Sequence, residues 1–252
     1  MIVLRSEREI AKIRESSRIA KKILDELIQI AKPGTTTKLL DETAVELMKR
    51  NGVSSATIGY HGYPKSICVS VNEEVVHGIP ADRVLQENDV VSIDVCVHKD
   101  GYYGDCADTI VLGVPDERRL RLINTGRKAL EEAIAKAMPG NYIGDISSVI
   151  ENIALSEGYS VVRDFTGHGI GTAMHEDPKI PNYGRQKSGP RIRPGMVFAL
   201  EVMMNEGTWR VKVLDDNWTV VTADGKLSVH FEHTVAIKNN GNEVLTCLKK
   251  MS

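Results

Sequence analysis

Apolar positions change their period several times along the chain. After Ser6, residues Ile10, Ile13, Ile19, Ile23, Leu24, Leu27 and Ile28 recur at helical spacing, and the pattern stops at Pro33-Gly34. Glu9, three residues after Ser6, completes a capping-box pattern. A second amphipathic helix carries Leu39, Leu40, Ala44, Leu47 and Met48 and closes at Asn51-Gly52. A third is predicted from about 116 to 138, ending at Pro139-Gly140, and a fourth from about 144 to Glu157-Gly158. Between the helix pairs and after them the period shortens. Strands are predicted over Ser66 to Asn72, in a hairpin within Val90 to Asp108, and over Met196 to Met204. A second hairpin is predicted from Trp209 to Val213 and Thr219 to Val221, followed by a last strand, Val229 to Ile237.

The order of these elements contains a repeat. Pro33-Gly34 and Pro139-Gly140 are offset by 106, and each is followed by a helix closing on a glycine 18 residues after the first. The pattern reads as a single domain, 1–252, built of two similar α/β halves, about 6–112 and 116–238. A site at their junction is expected.

In the hairpin, Val91, Ile93, Val95 and Val97 share one face, while Ser92, Asp94 and Cys96 share the other. Asp94 and Asp105 are eleven residues apart, and an odd separation across an antiparallel turn puts both on the same face. Two ionised carboxylates side by side repel, and burying them is costly unless a cation sits between them. The alternative is a solvated outer face of an edge hairpin. The late strands follow the same logic. Phe198, Leu200 and Val202 oppose a face with Ala199, Glu201 and Met203, while Phe231 and Val235 oppose Glu232, Thr234 and Ala236. Four strand carboxylates with small neighbours favour a metal site. The glycine-rich run Gly167-His168-Gly169-Ile170-Gly171 reads as a loop exposing an imidazole. One histidine with four carboxylates suits two divalent first-row ions better than a structural zinc, and such a pair activates water for hydrolysis. His77 and His175 fall in loops nearby, whereas His61, His98, His230 and His233 are read as structural or solvated.

Composition changes this picture mainly by exclusion. The 252 residues are 42% apolar and 26% charged, with 32 basic against 34 acidic residues and a net charge of −2, so bulk electrostatics give no case for nucleic acid or an anionic membrane. Cys68, Cys96, Cys106 and Cys247 lack zinc-finger spacing and suggest a reducing compartment. Met1 to Ile10 has no apolar signal region, and no run approaches the about 18 apolar residues of a membrane span. A cytoplasmic protein is expected.

Ile93-Asp94-Val95, Gly104-Asp105, Thr166 to Gly171, Glu201 and Glu232-His233-Thr234 resemble the five-ligand signature of the pita-bread metallopeptidases. Tyr60 to Ser66, and Asn72-Glu73 through His77-Gly78-Ile79-Pro80, narrow the resemblance to the type I methionine aminopeptidases over nearly the whole chain. It implies an α+β pita-bread fold, a pseudo-two-fold pair of α/β halves with a curved antiparallel sheet around a dinuclear site. It also implies removal of N-terminal methionine from nascent polypeptides whose second residue is small, by a metal-bridged water attacking the scissile carbonyl. The implied ligands of two divalent ions (Co, Mn, Fe or Zn) are Asp94, Asp105, His168, Glu201 and Glu232, with Asp105 and Glu232 bridging. The resemblance further implies that Glu201 doubles as general base, that His77 contacts the scissile amide and that His175 stabilises the oxyanion. It implies a methionine pocket involving Tyr60, Tyr63, Cys68 and Trp218. A monomer with transient ribosome association is expected.

Thr57, Cys106, Met174 and Val202 depart from the residues usual in that family, which bears on pocket shape rather than on the ligands. The 26-residue interval from His175 to Glu201 leaves no room for the helical insertion of the type II enzymes, so a minimal, bacterial-style form is expected. The competing possibilities are an X-Pro aminopeptidase or prolidase relative with the same ligands, an inert pita-bread binding module, and a carboxylate-rich calcium-binding protein.

Overall fold

Helix α1 (Glu7–Ile30) starts where the capping box places it, with the Ser6 hydroxyl accepting from the Glu9 amide and the Glu9 carboxylate accepting from the Ser6 amide at 2.8 Å. Thr36 caps α2 (Thr37–Arg50) and Asp116 caps α3 (Glu117–Lys136), and α4 (Ile143–Ser156) follows Pro139-Gly140. All four helices lie within a few residues of their predicted spans. The computed structural model describes residues 1–247; the end of the expected domain, 248–252, lies outside the described residues.

The strands, in chain order, are β1 (Ser54–Ser55), β2 (Cys68–Val71), β3 (Glu74–Val76), β4 (Val90–Lys99), β5 (Tyr102–Val111) and β6 (Ser160–Val161). Then come β7 (Thr166–Gly169), β8 (Glu176–Pro181), β9 (Val197–Asn205), β10 (Val211–Val213), β11 (Val220–Thr222), β12 (Ser228–Lys238) and β13 (Gly241–Val244). One antiparallel sheet runs β1-β4-β5-β12-β9-β7-β8, with β2 added to β4, β6 to β9 and β13 to β12. The β4–β5 hairpin turns on Asp100-Gly101, both at positive φ (49° and 83°), the conformation that matches the strands' own twist. That two-residue turn sets the register Lys99↔Tyr102 and every pair behind it.

The bulky strand faces meet the helices. Val91, Ile93, Val95 and Val97 are fully buried in a cluster with Ile23, Leu24 and Leu27 of α1 and Leu40 of α2. Phe198, Leu200, Val202 and Phe231 pack with Leu122 and Leu130 of α3 and Ile146 of α4. Each such burial contributes about 1.5–3 kcal/mol. The helices therefore commit one face of the central strands to the core and leave the small, acidic face to the other side. Cys106 and Val202 fall on the helix-covered face, so these two departures do not touch the acidic side.

A smaller sheet, β10-β11-β3, forms from segments far apart in sequence. Alternation predicts its hairpin but not β3, nor the edge strands β1, β8 and β13. Pairing of Val76 with Val220 brings His77, one residue past β3, beside Trp218, two residues before β11. Among the described residues no helix is long and apolar enough to cross a membrane.

Candidate active site

The acidic face is assembled strand by strand. Asp94 on β4 opposes Ala107 on β5, Ala107 opposes Glu232 on β12, and Glu232 opposes Glu201 on β9. One row across four neighbouring strands thus holds three carboxylates. Asp105, two residues before Ala107 on β5, points to the same side, as the odd separation from Asp94 predicts. His168 on β7 opposes Ala199, two residues before Glu201, and so joins the row's end.

His168 corrects an expectation: the first part of the glycine run, through Gly169, belongs to strand β7 rather than to an exposed loop, and the histidine is buried, at 7% exposure. The glycines serve close packing of strands. A Cβ at Gly169 would come within 2.2 Å of the Asp177 carbonyl oxygen, and one at Gly167 within 2.7 Å of that of Ala199. The His168 Nδ1 lies 2.9 Å from the Gly169 carbonyl, which fixes the N–H on that nitrogen and leaves the Nε2 lone pair for the cluster.

Five sequence-predicted ligands converge. Single donor atoms of Asp105, His168 and Glu232 all lie within 4.8 Å of one another, and His168 Nε2 lies 3.8 Å from Glu201 Oε1. Asp94 Oδ1, Asp105 Oδ1 and Glu232 Oε1 are buried without a hydrogen-bond partner among the described residues. Buried acceptors left bare are costly. Burial, then the charges of Asp105 and its neighbours, pushes the carboxyls of Asp94 and Glu232 well above the usual range. Burial also raises Asp105 to about 7. Glu201 goes the other way: burial raises it, but His230 first, then His168 and His77, outweigh burial and leave it lowered. Crowded, unpartnered oxygens with one imidazole lone pair are a donor set that fits divalent cations.

A cavity of about 290 Å³ opens onto this row. Tyr60, Tyr63, Cys68, His77, His175 and Trp218, all expected around the substrate, line it. Tyr63 and Trp218 meet edge to face at 5.1 Å, and the Tyr63 hydroxyl, buried, donates toward the carbonyls of Gly78 (2.9 Å) and Ile67 (3.1 Å). His77 sits at φ 60°, a left-handed conformation that a non-glycine residue adopts at a cost of about 1–3 kcal/mol. Its ring is 5.4 Å from that of Phe165 and 6.1 Å from that of Trp218, and burial lowers its pKa. His175 meets His168 edge to face at 4.3 Å, and its Nδ1 is 2.7 Å from the Tyr60 hydroxyl. Burial, then the neighbouring His168 imidazole, takes its pKa down to about 4.

Thr57 and Met174 also line the cavity, so those two departures do shape it. His233 lies away from the cluster, its Nδ1 2.8 Å from the Thr246 hydroxyl. His98 stacks on Tyr103 at 4.7 Å. His230, read from sequence as structural or solvated, is instead buried in the cavity wall with Nε2 3.3 Å from Glu201 Oε2. The signal for it is the two-residue period: 230 shares a strand face with 232. Phe165 also lines the cavity, and nothing in its local sequence pattern marks it.

Residues 11–239 match the family model of metallopeptidase family M24, and the chain belongs to that family. Methionine aminopeptidase A of Synechocystis is 47% identical over 246 residues, 97% of either chain. The crystal structure of methionine aminopeptidase from Thermotoga maritima superposes with a TM-score of 0.96 at 44% identity, covering 98% of this chain and 99% of that one. Prolidase from Pyrococcus furiosus shares the fold, with a TM-score of 0.79 at 24% identity, covering 98% of this chain but 66% of that one.

Proposed function

We propose that the chain is a metal-dependent methionyl aminopeptidase that removes the N-terminal methionine from polypeptides whose second residue is small. The observation that carries this is the row of buried, unpartnered carboxylate oxygens at the floor of an aromatic-lined cavity. In a chain 47% identical to a methionine aminopeptidase, that row has a ready assignment. Asp94, Asp105, His168, Glu201 and Glu232 would hold two divalent cations drawn from Co, Mn, Fe and Zn. When bound, such ions supply Lewis acidity to a water and to the scissile carbonyl.

The protein's own groups do the rest. Glu201, kept ionised by the surrounding imidazoles, accepts the proton of the attacking water and returns it to the departing amine. His175, neutral with its pKa near 4, accepts the Tyr60 hydroxyl at Nδ1 and so presents Nε2–H to the developing oxyanion. His77, held by its backbone and by the Trp218 and Phe165 rings, contacts the scissile amide. Tyr60, Tyr63, Cys68 and Trp218 enclose an apolar slot suited to a flexible thioether. The place of action is the cytoplasm, on nascent chains.

The test is purified protein stripped of metal, reloaded with each of the four ions, and offered Met-Gly-Xaa, Met-Leu-Xaa and Ala-Pro-Xaa. Metal-dependent release of methionine, fastest from the first peptide, is expected. Cleavage of the proline peptide alone would move the chain to the X-Pro enzymes. No cleavage by folded protein with any ion would leave a binding module.

A further inference from the structure

The β4–β5 and β12–β9 strand pairs place their side chains in matching registers, and the match singles out His230. On the first pair Asp94 opposes Ala107 and Cys96 opposes Asp105; on the second Glu201 opposes Glu232 and Met203 opposes His230. Ladder pairing between β5 and β12 is confined to Glu232↔Ala107 and His233↔Cys106. Beyond it, threonine hydroxyls take over. Thr234 Oγ1 accepts from the Asp105 amide (3.1 Å) and donates to the Asp105 carbonyl (2.8 Å). Thr109 Oγ1 does the same for His230, accepting from its amide (3.0 Å) and donating to its carbonyl (2.7 Å). His230 therefore occupies on the second pair the place that Asp105 occupies on the first, with its backbone anchored the same way.

Its side chain is buried, and Nε2 has no properly aligned hydrogen-bond partner among the described residues. Its one charged contact within 4 Å among them is Glu201 Oε2, at 3.3 Å. The carboxylate of Glu201 thus lies between two imidazoles, His168 Nε2 at Oε1 and His230 Nε2 at Oε2. The atoms that gather within 4.8 Å of one another belong to Asp105, His168 and Glu232, with His230 outside that group. Asp94 and Glu201 are outside that group too, and His230 lines the cavity wall beside Glu201.

We propose that His230 is a positioning residue for the metal site: its Nε2–H donates to Glu201 Oε2, so that Oε1 is presented beside His168 as the metal-binding oxygen. The proposal rests on the metallopeptidase assignment above and adds a residue to it. A partner that orients a ligand in this way is worth about 10–100-fold in metal affinity or activity.

The test compares H230Q, which keeps an N–H donor, with H230L, which keeps volume but donates nothing; H230A replaces the latter if it does not fold. Cobalt(II) affinity by calorimetry, the visible spectrum of the cobalt-loaded protein and kcat on Met-Gly-Xaa are measured. H230L is expected to bind cobalt about 10-fold or more weakly and to lose kcat by a similar factor. H230Q should restore both, with the wild-type cobalt spectrum. Unchanged affinity and kcat in H230L, or no rescue by glutamine, would overturn the proposal. A cobalt spectrum altered in both variants would overturn it too, by making His230 a direct ligand. Wild-type protein that binds cobalt but releases no methionine would refute the enzyme assignment, and the affinity comparison would still decide the role of His230.

Discussion

The two strand pairs that supply the acids differ in how they are joined. β4 and β5 are contiguous, closed by Asp100-Gly101, and their carboxylates sit diagonally, with Asp94 facing alanine and Asp105 facing cysteine. β9 and β12 are separated by the excursion through β10 and β11, and their two glutamates face each other directly. The first pair spaces its charges within one hairpin; the second crowds them, and Glu201 lies between His230 of that pair and His168 of β7. The consequence is electrostatic. The first pair's acids are both pushed toward the protonated form, chiefly by burial, whereas Glu201 is held ionised by its histidines. Glu232 follows the first pair, so of the four carboxylates Glu201 is the one lowered.

The sharpest way to break this contrast is Glu201→Ala. Losing the base should lower kcat by about 10²–10⁴-fold, with circular dichroism and melting temperature little changed. Wild-type turnover in that variant would remove Glu201 from the mechanism. Next comes His77→Ala, expected to lower kcat by about 10²-fold at unchanged metal content by atomic emission, since its ring lines the cavity beside Trp218 and Phe165. Loss of metal would instead make it a ligand.

A third prediction isolates the first pair in metal-free protein. Asp105 has a folded pKa near 7, above its unfolded value of about 3.9, so its contribution to stability is full below about pH 4 and is lost as pH rises toward 7. Asp105→Asn escapes that loss. Its melting temperature should match wild type near pH 4 and exceed it by several degrees at pH 7.5. An identical gap at both pH values would show that Asp105 carries no buried charge. Saturating the wild type with a divalent cation should close the gap. The smallest effect is expected at the seam. Thr234→Val removes both hydroxyl bonds to Asp105 and should cost about 1–3 kcal/mol in denaturant melts.

What was legible in the chain follows the same division. Asp94 and Asp105 could be paired from sequence because a two-residue turn fixes register for the entire hairpin. Glu201 and Glu232 could be assigned to the right face by period alone, but their direct opposition could not, since no turn links β9 to β12. The sequence marks His168 as a donor but not as a strand residue, because glycines that permit close strand packing look the same in sequence as glycines that permit a turn. His230 shares a face with Glu232 by period, but nothing local separates an imidazole beside a carboxylate from a structural one. His77 and Trp218 meet only through the β3–β11 pairing, whose partners are over a hundred residues apart. The helices, whose signals are local, were legible to within a few residues.

The threonine brackets at Asp105 and His230 have a further consequence. Where two hydroxyls stand in for backbone pairs, the amides of Asp105 on β5 and His230 on β12 hang on side-chain oxygens rather than on the ladder. Those two amide protons become natural reporters of the joint between β5 and β12. A parting of the two strands should expose them to deuterium uptake, so the integrity of this joint can be followed without substrate.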